Sequence, residues 1–291
     1  MSDISIIIVS FNTKKLLLDC LSSLKKYTKE VRYEVIVVDN GSEDGSTEAV
    51  EKLKGVKLIK NKDNLGFSKA NNQGIKKANG RYVLLLNSDT QLVEDSLTKM
   101  VLWMDGHQNI GVVSCKLVNT NGSIQATGGS FPTLGRIFLW ASFLDDLPFI
   151  GSIFGSYHPK QGQYYENEHQ QDWVTGAFLL TRSEVVKKVG DLDEIFFMYG
   201  EDVEFCLRVV KSGWQVWYTP LTRIVHLGSK STERSILGEF NGLHTIYQKH
   251  FPLWQYPILL LLTKFGAFLR IILFGILGRR WEALKIYAKA F

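Results

Sequence analysis

Two carboxylates in this sequence directly follow apolar strands, a position from which a side chain can hold a metal ion. Asp89 comes shortly after the apolar run Tyr82–Leu86, and Asp39 directly follows the run Glu34–Val38. Parallel strands place their carboxyl ends at one edge of a sheet, where α/β proteins bind ligands. Carboxylates at that edge can coordinate a divalent cation that also takes phosphate oxygens. The alternative is that Asp89 only caps a helix or closes a turn, because short motifs produce many false matches.

The last third of the chain adds an acidic pair and an isolated histidine. Glu201 and Asp202 precede apolar residues at helical spacing, so both carboxylates are predicted to occupy the first turn of a helix. Carboxylates there could simply cap the helix and complement its dipole. The residues 222–226 lead to His226, an isolated histidine before Gly228, and a lone histidine is more often structural than a ligand.

Strands and helices alternate along the first 120 residues, which predicts βαβ units and a mostly parallel sheet. Strands are predicted at Ile4–Ser10, Glu34–Val38, Val56–Ile59, Tyr82–Leu86, Ile110–Val118, Trp173–Thr181 and Gln215–Tyr218. Helices are predicted at Leu16–Tyr27, Glu48–Leu53, Ser68–Ala78 and Asp95–Met104. Asn121-Gly122 is predicted to turn a hairpin, and Glu204 with Arg208 is predicted to form a surface ion pair.

Residues 131–172 show no clear period and change from aromatic to polar composition. A long irregular segment inside a compact domain is often functional. We therefore expect an irregular lid or an insertion on the side of a second substrate.

Composition excludes several classes of protein. Apolar residues make up 45% of the chain, so a large core can be buried and wholesale disorder is excluded. Cys20, Cys115 and Cys206 are odd in number and widely spaced, which favours a reducing compartment over a disulfide framework or a zinc cluster. The amino terminus lacks a basic region and is predicted to be a first strand rather than a signal peptide.

The net charge of +5 is concentrated at the carboxyl terminus. Residues 1–251 are neutral, which argues against a nucleic-acid partner. Residues 252–291 carry six basic side chains and one acidic side chain on the most apolar part of the chain. This combination is typical of a segment that contacts an anionic membrane surface.

Other nucleotide-binding motifs are missing from the sequence. No G-x-G-x-x-G follows the first strand and no G-x-x-x-x-G-K-[ST] occurs, which excludes dinucleotide and P-loop sites. The segment 39–45 superficially matches a calcium loop, but Gly41 stands where a ligand is needed.

Six motifs fall in one order along the chain. They are Ser10-Phe11-Asn12, Val38-Asp39-Asn40-Gly41-Ser42, Asn64-Leu65-Gly66-Phe67, Leu86-Asn87-Ser88-Asp89, Gly200-Glu201-Asp202 and Val225-His226. The set resembles the family 2 inverting glycosyltransferases of the GT-A fold, especially bacterial rhamnosyltransferase-type members that build surface polysaccharides. The resemblance covers roughly residues 4–230.

The resemblance implies a GT-A type, Rossmann-like α/β fold with a mostly parallel sheet flanked by helices. Residues 1–230 would be the transferase domain, with a nucleotide-sugar half at 1–120 and an acceptor half at 121–230. Residues 231–291 would form a helical, amphipathic extension that associates with a membrane.

The resemblance also implies roles for single residues. The donor would be bound by Ser10, Phe11, Asn12, Asp39, Asn64, Gly66, Phe67, Asn87 and Ser88. Asp39 would accept the imide N–H of the base, and Asp89 with His226 would bind Mg²⁺ or Mn²⁺. Asp202 would be the general base, while Glu201 and Trp173 would lie on the acceptor side.

This sequence departs from the family pattern at Asn87, which occupies the first carboxylate of the Asp-x-Asp position. An asparagine can hydrogen-bond a ribose or offer a carbonyl oxygen, but it adds no charge. A metal would then depend on Asp89, His226 and the diphosphate, so we expect a weak site filled together with the donor.

The implied reaction is metal-assisted transfer, with inversion, of a sugar from a dTDP- or UDP-sugar to a lipid-linked or glycan acceptor. Rhamnose is favoured, and a galactosyl, glucosyl or N-acetylhexosaminyl transferase is the alternative. A nucleotidyltransferase would need a glycine- and arginine-rich loop after the first strand, which is missing. A non-catalytic, membrane-attached binding module would not need Asp202.

The carboxyl-terminal segment has three interpretations. Pro257–Gly278 is apolar except for Lys264 and Arg270, and no uninterrupted apolar run reaches the ~18–20 residues of a spanning helix. Arg279–Phe291 is amphipathic, with Trp281, Leu284 and Phe291 on its apolar face. We expect peripheral docking on the inner face of the cytoplasmic membrane. Packing on the body or at a homodimer interface comes second, and a transmembrane span third.

Overall fold

The computed structural model describes residues 2–147, 150–160, 162–228 and 233–290. Its first strands are β1 (Ile4–Ser10), β2 (Tyr33–Asp39), β3 (Val56–Lys60) and β4 (Tyr82–Leu86), which pair in parallel in the order β3-β2-β1-β4. They are connected by helices α1 (Lys14–Tyr27), α2 (Ser46–Glu51) and α3 (Phe67–Ile75). The predicted βαβ alternation is confirmed for this part of the chain.

The remaining strands extend the same sheet. They are β5 (Thr90–Leu92), β6 (Ile110–Val118), β8 (His169–Gln171), β10 (Phe178–Arg182) and β11 (Gln215–His226), with β7 (Gly128–Gly129) and β9 (Trp173–Val174) outside it. The sheet continues from β4 in the order β10-β6-β11-β5. β10 runs antiparallel to β4 and β6, β11 runs parallel to β6, and β5 and β8 run antiparallel to β11. The sheet is therefore parallel in one half and mixed in the other.

Helices lie between and beyond these strands. They are α4 (Ser96–Gly106), α5 (Leu134–Ala141), α6 (Ile150–Phe154), α7 (Ser183–Val189), α8 (Glu201–Lys211), α9 (Glu233–His250), α10 (Gln255–Arg270) and α11 (Trp281–Tyr287). A π-helical stretch, Ile271–Leu277, continues α10.

The apolar pattern of the sequence identifies the core correctly. Tyr82–Leu86 is buried along its whole length, as expected for a strand covered on both faces. The positions of α1 at helical spacing, Leu17, Cys20, Leu21 and Leu24, are all buried against the sheet. Removing such side chains from water stabilises the fold by about 1.5–3 kcal/mol each.

Several local predictions differ from the structure. The strand predicted over Trp173–Thr181 is interrupted at Thr175–Ala177, where Gly176 lies against the ring of Phe67. The strand predicted over Gln215–Tyr218 is longer than expected and continues to His226, with an irregular register between Thr219 and Arg223 around a proline. The turn at Asn121-Gly122 is present, but the residues on its two sides form an isolated bridge, from Val118 to Ile124, rather than two paired strands.

The pair formed by Glu204 and Arg208 is not a surface ion pair. The Glu204 side chain is 1% exposed, and the guanidinium of Arg208 donates to both of its carboxylate oxygens. The same guanidinium donates to the carbonyl oxygen of Asp191 at 2.8 Å. The pair therefore ties α8 to the loop after α7, because a buried carboxylate must be paired.

All three cysteines are free and buried. Burial raises the pKa of Cys20 to about 12, and it also raises the pKa values of Cys115 and Cys206. The thiolate is the reactive form, so we expect no thiol to react with Ellman's reagent in the native protein at neutral pH. All three should react after unfolding in guanidinium chloride; rapid modification of the native protein would contradict this burial.

The chain divides into two compact units that are interleaved in the sequence. Unit 1 contains Met1–Thr127, Gln161–Phe197 and Glu201–Gly228, and unit 2 contains Gly128–Lys160, Met198–Gly200 and Ser229–Phe291. The predicted boundary at residue 230 and the predicted functional halves of residues 1–230 stay predictions.

Residues 131–172 are less irregular than expected, because they contain α5, α6 and β8. Thr133 caps α5 by accepting from the backbone N–H of Arg136 at 3.4 Å. A helix of eight residues is too short to show a period in the sequence. The predicted role of this segment as a lid or acceptor-side insertion stays a prediction.

The carboxyl-terminal residues form α10, its π-helical continuation and α11. Helix Gln255–Leu277 is continuous through Lys264, and by length and composition it could cross a membrane. In α11, Leu284 is half-buried and Trp281 is exposed, and the predicted amphipathic face of this segment stays a prediction. Phe291, also predicted on that face, lies outside the described residues.

Candidate active site

Three strand ends of unit 1 meet at the carboxyl edge of the sheet. Ser10 of β1 is in register with Asp39 of β2. The hydroxyl group of Thr13 shares hydrogen bonds with Ser10 Oγ at 2.9 Å and Ser88 Oγ at 3.1 Å. The structure therefore brings these predicted donor-binding residues together, as the parallel strands require.

The carboxylate of Asp39 is buried and only half satisfied. Its Oδ2 accepts the backbone N–H of Ser42 at 3.0 Å, and the residue is 3% exposed. Among the described residues, its Oδ1 has no hydrogen-bond partner. A buried acceptor without a donor is costly, so an N–H group of a ligand would stabilise this site. Phe11, predicted to line the same pocket, is exposed.

Asn12 connects the loops after β1 and β2. Its φ of 54° lies in the left-handed region, which asparagine adopts more readily than most residues. Its side-chain oxygen accepts the N–H of Glu43 at 2.8 Å, and its own N–H donates to Ser42 Oγ at 2.9 Å. This predicted donor residue thus shapes the rim of the site.

Asn40 holds the turn that contains Asn64, Gly66 and Phe67. Its amide donates to Asn64 Oδ1 at 2.8 Å and to the carbonyl oxygen of Gly66 at 3.2 Å. Asn64 Oδ1 also accepts the N–H of Gly66 at 3.0 Å. Asn40 is not among the predicted donor-binding residues, although Asn40 lies inside one of the six motifs.

The turn at Gly66 is in close contact with the segment that precedes α8 in sequence. Gly66 has a φ of 85°, and an added Cβ would lie 2.6 Å from the carbonyl oxygen of Phe197. The N–H of Phe67 donates to that same oxygen at 2.6 Å. Only glycine fits at this position, because any side chain would displace the Phe197 backbone.

Asn72 makes a second connection between α3 and the same segment. Its side chain accepts the N–H of Leu192 at 3.0 Å and donates to the carbonyl oxygen of Leu192 at 2.8 Å. It also donates to Glu194 Oε1 at 3.1 Å. A buried asparagine in this arrangement satisfies both backbone groups of Leu192, a role that nothing in the sequence pattern indicates.

Replacing Asn72 with alanine should destabilise the protein by about 1–3 kcal/mol, because buried backbone groups lose their partners. The free energy of unfolding can be measured by urea denaturation. Asn79→Ala is the matched control, since Asn79 is exposed and, among the described residues, its side chain donates only to the carbonyl oxygen of Lys77, at 3.3 Å. Equal unfolding free energies for the two variants would contradict the role of Asn72.

The short strand β5 brings Asp89 and His226 together. β5 pairs antiparallel with β11, which places His226 opposite Thr90. The N–H of Leu227 donates to the carbonyl oxygen of Asp89 at 2.8 Å. His226 Nε2 then lies 3.2 Å from Asp89 Oδ1 and 3.4 Å from the amide nitrogen of Asn87. The predicted pair therefore shares one site, and its role as a metal site stays a prediction.

Gln125 fixes the orientation of the His226 ring. Its amide nitrogen donates to the carbonyl oxygen of His226 at 2.8 Å and to Asn119 Oδ1 at 2.7 Å. Its oxygen therefore faces His226 Nδ1, at 2.7 Å. The hydrogen-bond network thus assigns a proton to Nδ1, and Nε2 faces Asp89. Gln125 is not among the predicted site residues, because it lies in a loop without a periodic pattern.

His226 Nε2 and the Asp89 carboxylate are close enough to contact one cation. An imidazole nitrogen and a carboxylate are both metal ligands, and Gln125 supplies the outer hydrogen bond that such histidines have. Among the described residues, no group of three or more His, Cys, Asp or Glu side chains could hold a metal. A metal at this site would therefore need oxygens from a bound diphosphate or water.

Asp202 lies at the start of α8 with its carboxylate partly exposed. Its Oδ2 accepts the N–H of Gly176 at 3.2 Å, and its Oδ1 accepts the N–H of Val203 at 2.8 Å. Glu201 is 5% exposed, and Trp173 is also buried. Of the acidic pair, Asp202 is thus the residue open to solvent. The predicted acceptor-side roles of Glu201 and Trp173 stay predictions.

Comparison with known proteins identifies the family. The model of the family described as Glycosyl transferase family 2 matches residues 5–179. The N-acetylglucosaminyl-diphospho-decaprenol L-rhamnosyltransferase of Mycobacterium tuberculosis is 25% identical over 249 residues, covering 77% of this chain and 78% of that protein. Rhamnosyltransferase WbbL of Escherichia coli K12 is 24% identical over 229 residues, covering 76% of this chain and 82% of that protein.

A solved structure shares the fold. The mannosyltransferase PcManGT from Pyrobaculum calidifontis, in complex with GDP-Man and Mn²⁺, superimposes with a TM-score of 0.59 at 16% identity. The similarity covers 99% of this chain and 74% of that one. The predicted GT-A type α/β fold is confirmed. The family match covers more than half of the sequence, so this chain belongs to glycosyl transferase family 2 and is a glycosyltransferase similar to bacterial rhamnosyltransferases.

Proposed function

We propose that this enzyme transfers a sugar, with rhamnose favoured, from a nucleoside diphosphate donor to a lipid-linked or glycan acceptor in bacterial surface polysaccharide synthesis. The observation that carries the proposal is the placement of His226 Nε2 3.2 Å from Asp89 Oδ1, at the edge of the sheet where Asp39 lies. The names of the two relatives support rhamnose, and one of them names a decaprenol-linked acceptor.

Donor binding begins with the base of the nucleotide. The buried Oδ1 of Asp39 lacks a partner among the described residues, and an imide N–H would satisfy it. Thymine and uracil both carry this group, so a dTDP- or UDP-sugar fits. Phe11 and the loops held by Asn12 and Asn40 would enclose the nucleoside.

Asp89 and His226 would hold Mg²⁺ or Mn²⁺ against the donor diphosphate, with Asn87 alongside. Such a cation acts as a Lewis acid that neutralises the charge developing on the leaving diphosphate. Gln125 keeps the Nε2 atom of His226 directed at the site.

Asp202 would act as the general base. It takes the proton of an acceptor hydroxyl group while that oxygen attacks the anomeric carbon. The bond from this carbon to the diphosphate oxygen breaks on the opposite face, so the configuration inverts and a single carboxylate suffices. Glu201 and Trp173 would support the acceptor side.

The transfer would take place at the inner face of the cytoplasmic membrane, with residues 252–291 as the peripheral attachment. A homodimer interface formed by these residues is the alternative. A galactosyl, glucosyl or N-acetylhexosaminyl transferase is the alternative for the sugar. A non-catalytic nucleotide- or glycan-binding module is the alternative for the function.

A thermal-shift screen tests donor binding first. UDP-, dTDP- and GDP-sugars are added with Mn²⁺ or Mg²⁺, and the correct donor should raise the melting temperature because it binds only the folded state. Nucleotide release is then measured with and without an acceptor extract. Release that depends on the extract supports a transferase; binding without any release would indicate the binding module instead.

A further inference from the structure

Unit 2 carries an apolar surface built by two helices that are distant in sequence. Phe138 of α5 is exposed, and its ring stacks on that of Phe265 of α10 with centroids 6.4 Å apart. Leu261 and Phe268 are exposed on the same helix as Phe265, three or four residues away on either side. Residues at this spacing lie on one helix face, so α5 and α10 contribute to one continuous apolar surface.

The opposite face of α10 is packed inside unit 2. Its buried residues are Leu259, Thr263, Gly266, Ala267 and Arg270. A Cβ on Gly266 would lie 3.0 Å from the Cβ of Ala141, so α10 approaches α5 closely there.

Arg270 locks this packing. Its guanidinium lies over the rings of Trp140, Phe143 and Phe240, at 5.1, 4.6 and 5.8 Å from their centroids. It donates to the carbonyl oxygens of Ala141 at 3.3 Å and Gly266 at 3.1 Å. The charge is therefore satisfied by the protein itself, and Arg270 does not interrupt the exposed apolar stripe.

The side chains of α10 favour a helix in the plane of a membrane over one that crosses it. Only one third of the most apolar stretch of Gln255–Leu277 is buried, and the exposed stripe lies on one face. Lys264 is exposed near the middle of the helix. In a spanning helix its ammonium group would lie near the bilayer centre, whereas in an in-plane helix its stem can extend to the headgroups.

Exposed tryptophans and basic side chains surround this surface, as they do at the interface between a protein and a lipid bilayer. Trp254 and Trp281, on either side of the apolar helix, are both exposed, as tryptophans at membrane interfaces are. Arg279 and Lys289 are exposed beyond it, and Glu282 is the only acidic residue from 252 to 291. This charge is complementary to anionic phospholipid.

We propose that α5 and α10 form one docking face that lies in the plane of an anionic phospholipid bilayer, half-embedded and not spanning. The proposal deepens the membrane attachment put forward above and assigns part of residues 131–172 to it. α6 adds two more exposed apolar side chains, Ile153 and Phe154, to unit 2.

Vesicle binding by the full-length protein tests this face. Phe138→Asp with Phe265→Asp should weaken co-sedimentation with phosphatidylglycerol-containing vesicles at least about tenfold, since two apolar contacts are lost. Leu102→Asp is the control, because Leu102 is even more exposed but lies on α4 in unit 1, so its replacement should leave binding unchanged. Pure phosphatidylcholine vesicles should bind the native protein weakly.

Three outcomes would overturn the proposal. The first is unchanged vesicle binding by the double variant. The second is resistance of the membrane-bound native protein to alkaline carbonate extraction. The third is a native protein that never binds vesicles and that the double substitution converts from a dimer to a monomer. The second outcome would indicate a spanning helix, and the third a subunit interface. The melting-temperature shift with donor is measured on the same variants, and it should persist. If the donor does not raise the melting temperature of the native protein, that result would count against the proposed function and not against the docking face.

Discussion

Asp202→Asn is expected to lower the turnover number at least about a hundredfold, the usual scale for loss of a general base. Donor affinity should change little, because Asp202 faces the acceptor hydroxyl in the proposed reaction. An asparagine keeps the shape and can still accept the N–H of Val203, which now donates to Asp202 Oδ1 at 2.8 Å. The measurement is the transfer rate at saturating donor, together with donor affinity.

Glu201→Gln is the matched variant for this experiment. Glu201 is adjacent to Asp202, but it is buried and points about 100° away around the helix axis. We expect this change to affect acceptor use more than donor binding. An inactive Glu201→Gln enzyme beside an active Asp202→Asn enzyme would reverse the assignment. Two active variants would remove the acidic pair from the mechanism.

Asp89→Ala is expected to abolish the metal dependence of donor binding while the fold survives. The Asp89 side chain is partly exposed and, within the described part of the chain, its recorded side-chain contact is the one with His226, so its loss should cost little stability. Nucleotide affinity in the presence of Mn²⁺ should fall at least about a hundredfold. Loss of a residue that only hydrogen-bonds a metal ligand costs up to about a hundredfold, and loss of the ligand itself should cost at least as much. Titration calorimetry with and without Mn²⁺ gives both numbers.

Gln125→Leu provides a graded comparison with Asp89→Ala. It removes the acceptor of the His226 Nδ1 proton and frees the ring to rotate. The metal-dependent affinity should fall about 10–100-fold, as it does for other residues that hydrogen-bond a metal ligand.

Unchanged nucleotide affinity of Asp89→Ala in excess Mn²⁺ would count against the metal assignment.

The sequence predicts those parts of the fold that repeat locally. The apolar run of β4 and the helical spacing of α1 each depend on near neighbours, and both predictions agree with the structure. The contact of Asp89 with His226 depends on β5, which is only three residues long and pairs with a strand more than 120 residues away. No local period can reveal such a strand.

Buried polar residues set the second limit of sequence analysis. Asn40 and Asn72 satisfy backbone groups of distant loops, and such partners cannot be identified from neighbouring residues. The spacing of Glu204 and Arg208 indicates a pair correctly, but it carries no information about burial. The same holds for Arg270, whose aromatic partners come from α5, α9 and the residues that follow α5.

The anomeric configuration of the transferred sugar tests the proposed mechanism most directly. Direct displacement with one carboxylate base inverts the anomeric centre, so NMR of the product should show the configuration opposite to that of the donor. A product with retained configuration would contradict single displacement with Asp202 as the base, even if the enzyme binds the donor through Asp89 and His226.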